Sequence, residues 1–342
     1  MKVFVPAGVK ELEKKEGWFS IPICQKLGAM GVEFGFQIQG SVDGLKTSRS
    51  FGIHLPAKFA NEWQFEEKRE KLEDMMNKII SLRNQPVYVI IHGISLNRTP
   101  KSPENKERKY LSDVGAKDYF KAYREMIDII KESLERGLPI TLENTAFTNF
   151  FFENGIWQPE TYLDLRIGHL SSDMLRIKQR TGCALMLDIE HLCFALSFAC
   201  RRNGYTGLQN CIPGSLSKLE NLLIKDFGLF IKQDWSPIAI NPSALEEEIK
   251  AIGAQIYHIS GSNGETWLEV ENEKITSHAP ITEKDELLRK ALRFILDQNQ
   301  NVIIIPEVSG PENPCWQHRS PNAQKESFEA LCRILSDILS GN

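Results

Sequence analysis

Ala184–His191 reads ALMLDIEH, and the architecture of the chain can be worked out from it. It opens as an unbroken apolar run, where a strand with one face in water would alternate apolar and polar residues. Unbroken runs of this length mark parallel strands covered on both faces. The run then breaks into Asp188 and His191, so its polar chemistry sits at the C-terminal end.

The same grammar recurs on either side. Lys2–Pro6 (KVFVP), Val32–Phe36 (VEFGF), Gly52–Pro56 (GIHLP), Val87–His92 (VYVIIH) and Ile140–Asn144 (ITLEN) precede it. Gln255–Ser260 (QIYHIS) and Val302–Val308 (VIIIPEV) follow, which makes eight predicted strands. Between them, helical periodicity runs over Phe65–Arg83, Lys117–Arg136, Thr161–Thr181, Leu245–Ile252, Lys284–Asn299 and Asn322–Leu339. Arg136-Gly137 and Ile252-Gly253 supply the glycine that stops a helix just before the next strand. Strands alternating with helices imply a parallel sheet, and eight such units imply closure into a (β/α)8 barrel. An open doubly wound sheet would carry a glycine-rich phosphate loop after its first strand, and PAGVKE (6–11) is not one. One barrel domain over 1–342 is expected, with a long insertion at about 193–253 between the sixth and seventh strands. A second long connection, Gly93 to Gly115, carries Arg98, Lys101, Lys106, Arg108 and Lys109. Long loops of such barrels gather over the substrate.

Composition narrows the class. At 42% hydrophobic and 25% charged, the chain has the make-up of a soluble globular protein with one large core. A net charge of −4 argues against a polycation built for nucleic acid, although a local basic groove can sit on an acidic protein. Seven Cys without a Cys-x-x-Cys unit, and no signal-like N-terminus, predict reduced thiols and a cytoplasmic location. No apolar run approaches the ~20 residues that span a bilayer, so no membrane partner is expected.

The ionisable residues fall in a pattern. His54 ends the third predicted strand, His92 the fourth and Glu143 the fifth. Asp188 and His191 close the sixth, His258 the seventh and Glu307 the eighth, while His278 follows in SHAP. Strand C-terminal ends of a barrel converge on one mouth, so these side chains are predicted to share one cup. Imidazole and carboxylate donors without thiolate suit Zn, Mn, Fe or Co, and a cation is the natural partner for buried carboxylates. A single His at a strand end is usually a hydrogen-bonded core residue; several converging ones point to ligation. Glu33, on the second strand, reads as structural or as a support to a ligand, and His169 and His318 as structural or surface groups.

At these residues the chain resembles the xylose-isomerase-like barrel superfamily, which holds sugar isomerases and epimerases and the apurinic endonucleases. LGAMGVEFGF (27–36) is similar to the helix-to-strand lead-in of the epimerases. ITLENT (140–145), LMLDIEHL (185–192), YHISG (257–261) and IIIPEV (303–308) resemble the superfamily's metal-carrying strand ends. The resemblance implies Glu143, Asp188, His258 and Glu307 as primary metal ligands, with Glu143 and Glu307 also moving the proton in an epimerase. It implies that His191 contacts substrate or a second metal. The sequence departs from the superfamily where TSHAPITEKDE (276–286) replaces a Gly-x-Gly element, and where Thr276 takes the place of an endonuclease Asp. HISG and SHAP are similar to pieces of the multinuclear non-haem iron enzymes that oxidise peptide cysteines. That group carries Asn-Asn where this chain has Glu190-His191.

The resemblance therefore implies an enzyme holding about one to three divalent metals (Mn, Zn, Fe, Co or Mg). With one metal it implies an isomerase or epimerase of a sugar, cyclitol or related hydroxy-carbonyl compound. With His54, His92, His191 and His278 as added ligands it implies a di- or trinuclear centre: a Zn endonuclease-like phosphodiesterase, or an Fe enzyme acting on a peptide. A small-molecule substrate is expected first, and a nucleic acid or peptide second. A barrel reduced to a binding module would have lost ligands that this chain keeps.

Overall fold

Along the strands, side chains alternate between two environments with the period of two that pleating imposes. On the strand Val89–His92 (β4), Val89 and Ile91 belong to the large apolar cluster that packs against the helices. Tyr88 and Ile90 join a separate cluster with Phe4, Met186, Ile256 and Ile305. That second cluster fills the inside of a closed parallel barrel. Its strands are Lys2–Ala7 (β1), Met30–Gly35 (β2), Ser50–His54 (β3), β4 and Ile140–Glu143 (β5). Ala184–Asp188 (β8), Ile256–Ile259 (β9) and Ile303–Pro306 (β12) complete it. They lie around the barrel in chain order, with β12 closing on β1. The structure is a computed structural model describing residues 1–7, 11–27, 30–35, 49–56, 59–63, 65–94, 116–144, 150–153, 156–159, 168, 171–193, 242–262, 269–271, 274–276, 278–308 and 322–341.

The helices described around the barrel are Leu12–Lys15 (α1), Pro22–Lys26 (α2), Phe59–Glu62 (α3), Glu66–Ile80 (α4) and Ala116–Glu135 (α5). Ser171–Thr181 (α6), Pro242–Ile252 (α7), Glu286–Gln298 (α8) and Ala323–Leu339 (α9) follow. The glycines read as stops are such: Gly137 and Gly253 have φ of 89° and 56°, left-handed values that favour glycine. Gly52 has another reason. A Cβ there would fall within the Tyr88 ring, so this position admits Tyr88 to the barrel interior.

Boundaries differ from the sequence reading where local chemistry intervenes. β3 is Ser50–His54 rather than Gly52–Pro56, which makes His54 its last residue. β8 stops at Asp188 and residues 189–193 turn helical, because the Asp188 carboxylate accepts the backbone N–H of His191 at 2.8 Å. That bond is a helix N-cap. Asp-x-x-His is thus a strand end followed by one turn of helix, not a continuing strand.

The sequence reading missed a second sheet. Phe150–Glu153 (β6) and Ile156–Pro159 (β7) form a hairpin after β5; Glu269–Glu271 (β10) and Lys274–Thr276 (β11) form another after β9. They join as an antiparallel sheet in the order β10-β11-β6-β7. Of the expected insertion, 194–241 lies outside the described residues, as do 95–115 of the basic loop and both His169 and His318. Among the described residues no helix is long and apolar enough to cross a membrane.

Candidate metal centre

The inward-facing register that carries Tyr88 and Ile90 on β4 ends on His92, and the same step of two ends β3 on His54 after Gly52. On β8 it leads from Met186 to Asp188, on β9 from Ile256 to His258, and past β12 from Ile305 to Glu307. The apolar interior layer is therefore the floor of the site, and the next layer up is its donor set.

Glu143 is at the centre. It is 1% exposed, and its two oxygens face different partners. Oε2 lies 3.0 Å from His54 Nε2 and 2.9 Å from His92 Nε2. Oε1 lies 3.0 Å from His258 Nδ1. Two groups of converging donor atoms result: His54, His92 and Glu143; and Glu143, Asp188, His258 and Glu307, each spanning no more than 4.8 Å. Glu143 belongs to both.

His258 is held from behind. Its Nε2 lies 2.9 Å from Glu33 Oε1, and the Tyr88 hydroxyl donates to Glu33 Oε2 at 3.0 Å. In the neutral ring, with Nε2–H donated to Glu33, Nδ1 presents a lone pair. Yet Nδ1 faces two carboxylate oxygens, Glu143 Oε1 at 3.0 Å and Glu307 Oε2 at 2.8 Å. A lone pair and two carboxylates closing on one point is an arrangement that a cation satisfies, and carboxylate-supported imidazole is how metal-binding His is commonly fixed. The donor set fits a divalent metal of the Zn, Mn, Fe or Co type.

The electrostatics say the same. Burial pushes the Glu143 carboxyl up, but the His92 and His258 imidazoles outweigh it and hold the group well below the usual carboxylate range. Burial opposes a charge on His258, and the carboxylates of Glu33, Glu307 and Glu143 overcome it, so its pKa stands well above the ordinary value. Asp188 goes the other way. Burial drives it up to about 7, against the pull of His191, and Glu307 and Glu190 add to the rise. A buried acid so perturbed is one that a cation would ionise.

Three further residues shape the rim. Asn144 clamps the neighbouring strand end: its Nδ2 donates to Asp188 O at 2.9 Å, and its Oδ1 accepts from Asp188 N at 2.6 Å. The Asn144 carbonyl lies 3.0 Å from His191 Nδ1 and so fixes a tautomer whose lone pair is on Nε2. Glu190, fully buried, accepts from Ser260 Oγ at 2.7 Å and from the backbone N–H of His278 at 2.6 Å. His278 has a φ of 61°, rare for a non-glycine residue, and its ring centroid lies 5.9 Å from that of His191. Its Nε2 is 3.9 Å from Glu307 Oε1.

The eight candidate ligands His54, His92, Glu143, Asp188, His191, His258, His278 and Glu307 thus come together at one mouth, though not in one ligand group. His54 and His92 join Glu143, whereas His191 and His278 stand beside each other at the Asp188–Glu307 side. Asn144 and Tyr88 were missed as site residues. Asn144 follows Glu143 directly, and a polar residue just past a ligand-bearing strand was its only signal. Tyr88 sits four residues before His92, the strand spacing of one inward face.

No protein-family model and no curated protein matches the chain. Solved structures do. A Thermus thermophilus protein from crystals soaked with zinc chloride superposes with a TM-score of 0.51 at 11% identity, covering 100% of this chain and 99% of that one. A provisionally named sugar phosphate isomerase/epimerase of Anabaena variabilis does so at 0.50 and 10% identity, covering 99% and 98%. A xylose isomerase domain containing protein of Salmonella typhimurium LT2 gives 0.48 at 13% identity, covering 98% and 97%. The fold shared with these structures is a closed eight-stranded parallel (β/α)8 barrel.

Proposed function

We propose that this protein is a two-metal enzyme that hydrolyses a phosphoester at the mouth of its barrel. The observation that supports it is Glu143, whose separate oxygens face separate imidazole groups and so suit a carboxylate bridging two cations. Divalent ions bound in such a cup would supply Lewis acidity toward a phosphoryl oxygen and a water acidified enough to give hydroxide near neutral pH.

The chain's own residues set the rest. His54 and His92 would hold one cation with Glu143; Asp188, His258 and Glu307 would hold the other with the same carboxylate. Glu33 and Tyr88 keep His258 in the tautomer that ligates. Glu307, 32% exposed where the other carboxylates of the set are buried, is the one that meets substrate and solvent. His191 and His278 line the same side, and in protonated form their rings would donate to the phosphoryl oxygens or the leaving group.

A second reading is a sugar isomerase or epimerase using the group Glu143, Asp188, His258 and Glu307 alone, since that group has the ligands for one metal. Proton transfer by two glutamates needs a free carboxylate oxygen on each. Glu143 has both of its oxygens engaged, which favours the hydrolytic reading.

The test is an assay of Zn- and Mn-loaded protein on bis(p-nitrophenyl) phosphate and an abasic-site duplex, beside a ketose panel. Phosphoester cleavage that disappears in His92→Ala supports the proposal. Epimerisation that survives His92→Ala, with no cleavage, would replace it with the second reading.

A further inference from the structure

The barrel closes where β12 pairs with β1. β1 pairs with β2 over five register positions but with β12 over two, Lys2 with Ile303 and Val3 with Ile304. The seam is backed on its outer side by α2, which follows β1, packed on α9, which follows β12. Between those helices lie Cys24 and Cys332, both fully buried, with their Sγ atoms 2.7 Å apart. The Trp18 and Phe328 rings pack beside them at a centroid distance of 5.6 Å.

Two thiols meeting by chance in an apolar core would sit as separate small hydrophobes. Here they face each other at a distance only about 0.7 Å longer than a disulfide bond of ~2.05 Å. The other described cysteines, Cys183 and Cys193, are buried singly.

We propose that Cys24 and Cys332 are a modification site, oxidised to an intramolecular disulfide that staples the first and last units of the barrel across the β1–β12 seam. The oxidant is a small-molecule disulfide such as oxidised glutathione. Each thiol gives up its proton, the pair gives up two electrons, one S–S bond forms, and the donor leaves as two thiols. Because both sulfurs are shielded, exchange takes place during folding or through local opening of the five-residue helix α2. A link between positions 24 and 332 closes nearly the whole chain into a loop, the case in which a cross-link constrains the unfolded state most.

The experiment refolds the full-length protein in glutathione buffer, blocks free thiols with N-ethylmaleimide, and maps tryptic peptides without reduction. The expected result is peptide 16–26 joined to peptide 326–333. Reduction should lower Tm by at least about 5 °C, and Cys332→Ser should abolish that gap. Recovery of both peptides carrying the maleimide, or joined to other cysteines, would overturn the proposal. Because the mapping is done on the unmutated protein, a variant that fails to fold does not blunt the test.

Discussion

His258 Nε2 lies 2.9 Å from Glu33 Oε1, so an imidazole at the mouth of the barrel takes its orientation from a carboxylate one strand past the seam. The contact is buried on both sides, at 1% and 6% side-chain exposure. Glu33→Gln keeps the shape but removes the negative charge and leaves one acceptor oxygen for two donors, His258 Nε2–H and the Tyr88 hydroxyl. Metal affinity should fall about 10–100-fold, read by competition with a chromophoric chelator, while the far-ultraviolet circular dichroism stays unchanged. Unaltered affinity would remove Glu33 from the centre.

Gly52→Ala tests the same support from further away. Its Cβ would displace the Tyr88 ring, whose hydroxyl donates to Glu33. A loss of about 1–3 kcal/mol in stability is expected from overpacking, measured by urea denaturation, together with weaker metal binding. The pair Gly52→Ala and Tyr88→Phe separates the two effects, since the second removes the hydrogen bond without adding volume.

The pH dependence has a sign that follows from the shifts. Asp188 has a folded pKa of about 7 against an ordinary 3.8, so its contribution to stability is full at low pH and is lost as pH rises through 7. The raised imidazoles of His54, His191, His258 and His278 act in the same direction, contributing fully below 6.5 and losing that as pH rises. Glu143 and Glu307, held below 4.5, contribute above that value and lose it as pH falls. Metal-stripped protein should therefore be most stable near about pH 5–6. A bound cation favours ionised carboxylates and neutral imidazoles, so the rise in Tm on adding metal should be larger at pH 8 than at pH 6. An equal or smaller rise at pH 8 would contradict the ligand assignment.

Glu190 is predicted to hold the rim together. Glu190→Ala leaves the Ser260 hydroxyl and the His278 N–H without their acceptor in a buried setting. A cost of about 2–4 kcal/mol is expected from two such losses, with turnover reduced more than metal content. Full activity and stability in this variant would show that His278 is placed by other means.

The barrel and the convergence of its strand-end polar side chains were legible because both obey short-range rules. Continuous apolar runs such as ALML and VIII mark covered strands, and polar residues at their ends mark the mouth. What stayed hidden depends on contacts across the barrel. That Glu143 faces two imidazole groups depends on contacts across the mouth, with His54 and His92 of β3 and β4 on one side and His258 of β9, beyond β8, on the other, and no spacing encodes it. The helical turn at 189–193 reads as strand in the sequence because Asp188 has two uses, cap and candidate ligand, and the apolar run masks the first. The hairpins of the second sheet are short and pair with each other across more than a hundred residues, β11 with β6, which periodicity does not detect.

If Glu143 joins two metal sites, metal stoichiometry will show it without any knowledge of the substrate. Protein purified without chelator, loaded with Zn or Mn, desalted and analysed by plasma mass spectrometry should carry about two ions per chain. His92→Ala should lower that to about one, and Glu143→Ala should lower it further. A single ion per chain, unchanged by His92→Ala, would contradict the two-metal centre, and no ion after loading would contradict the metal cup itself.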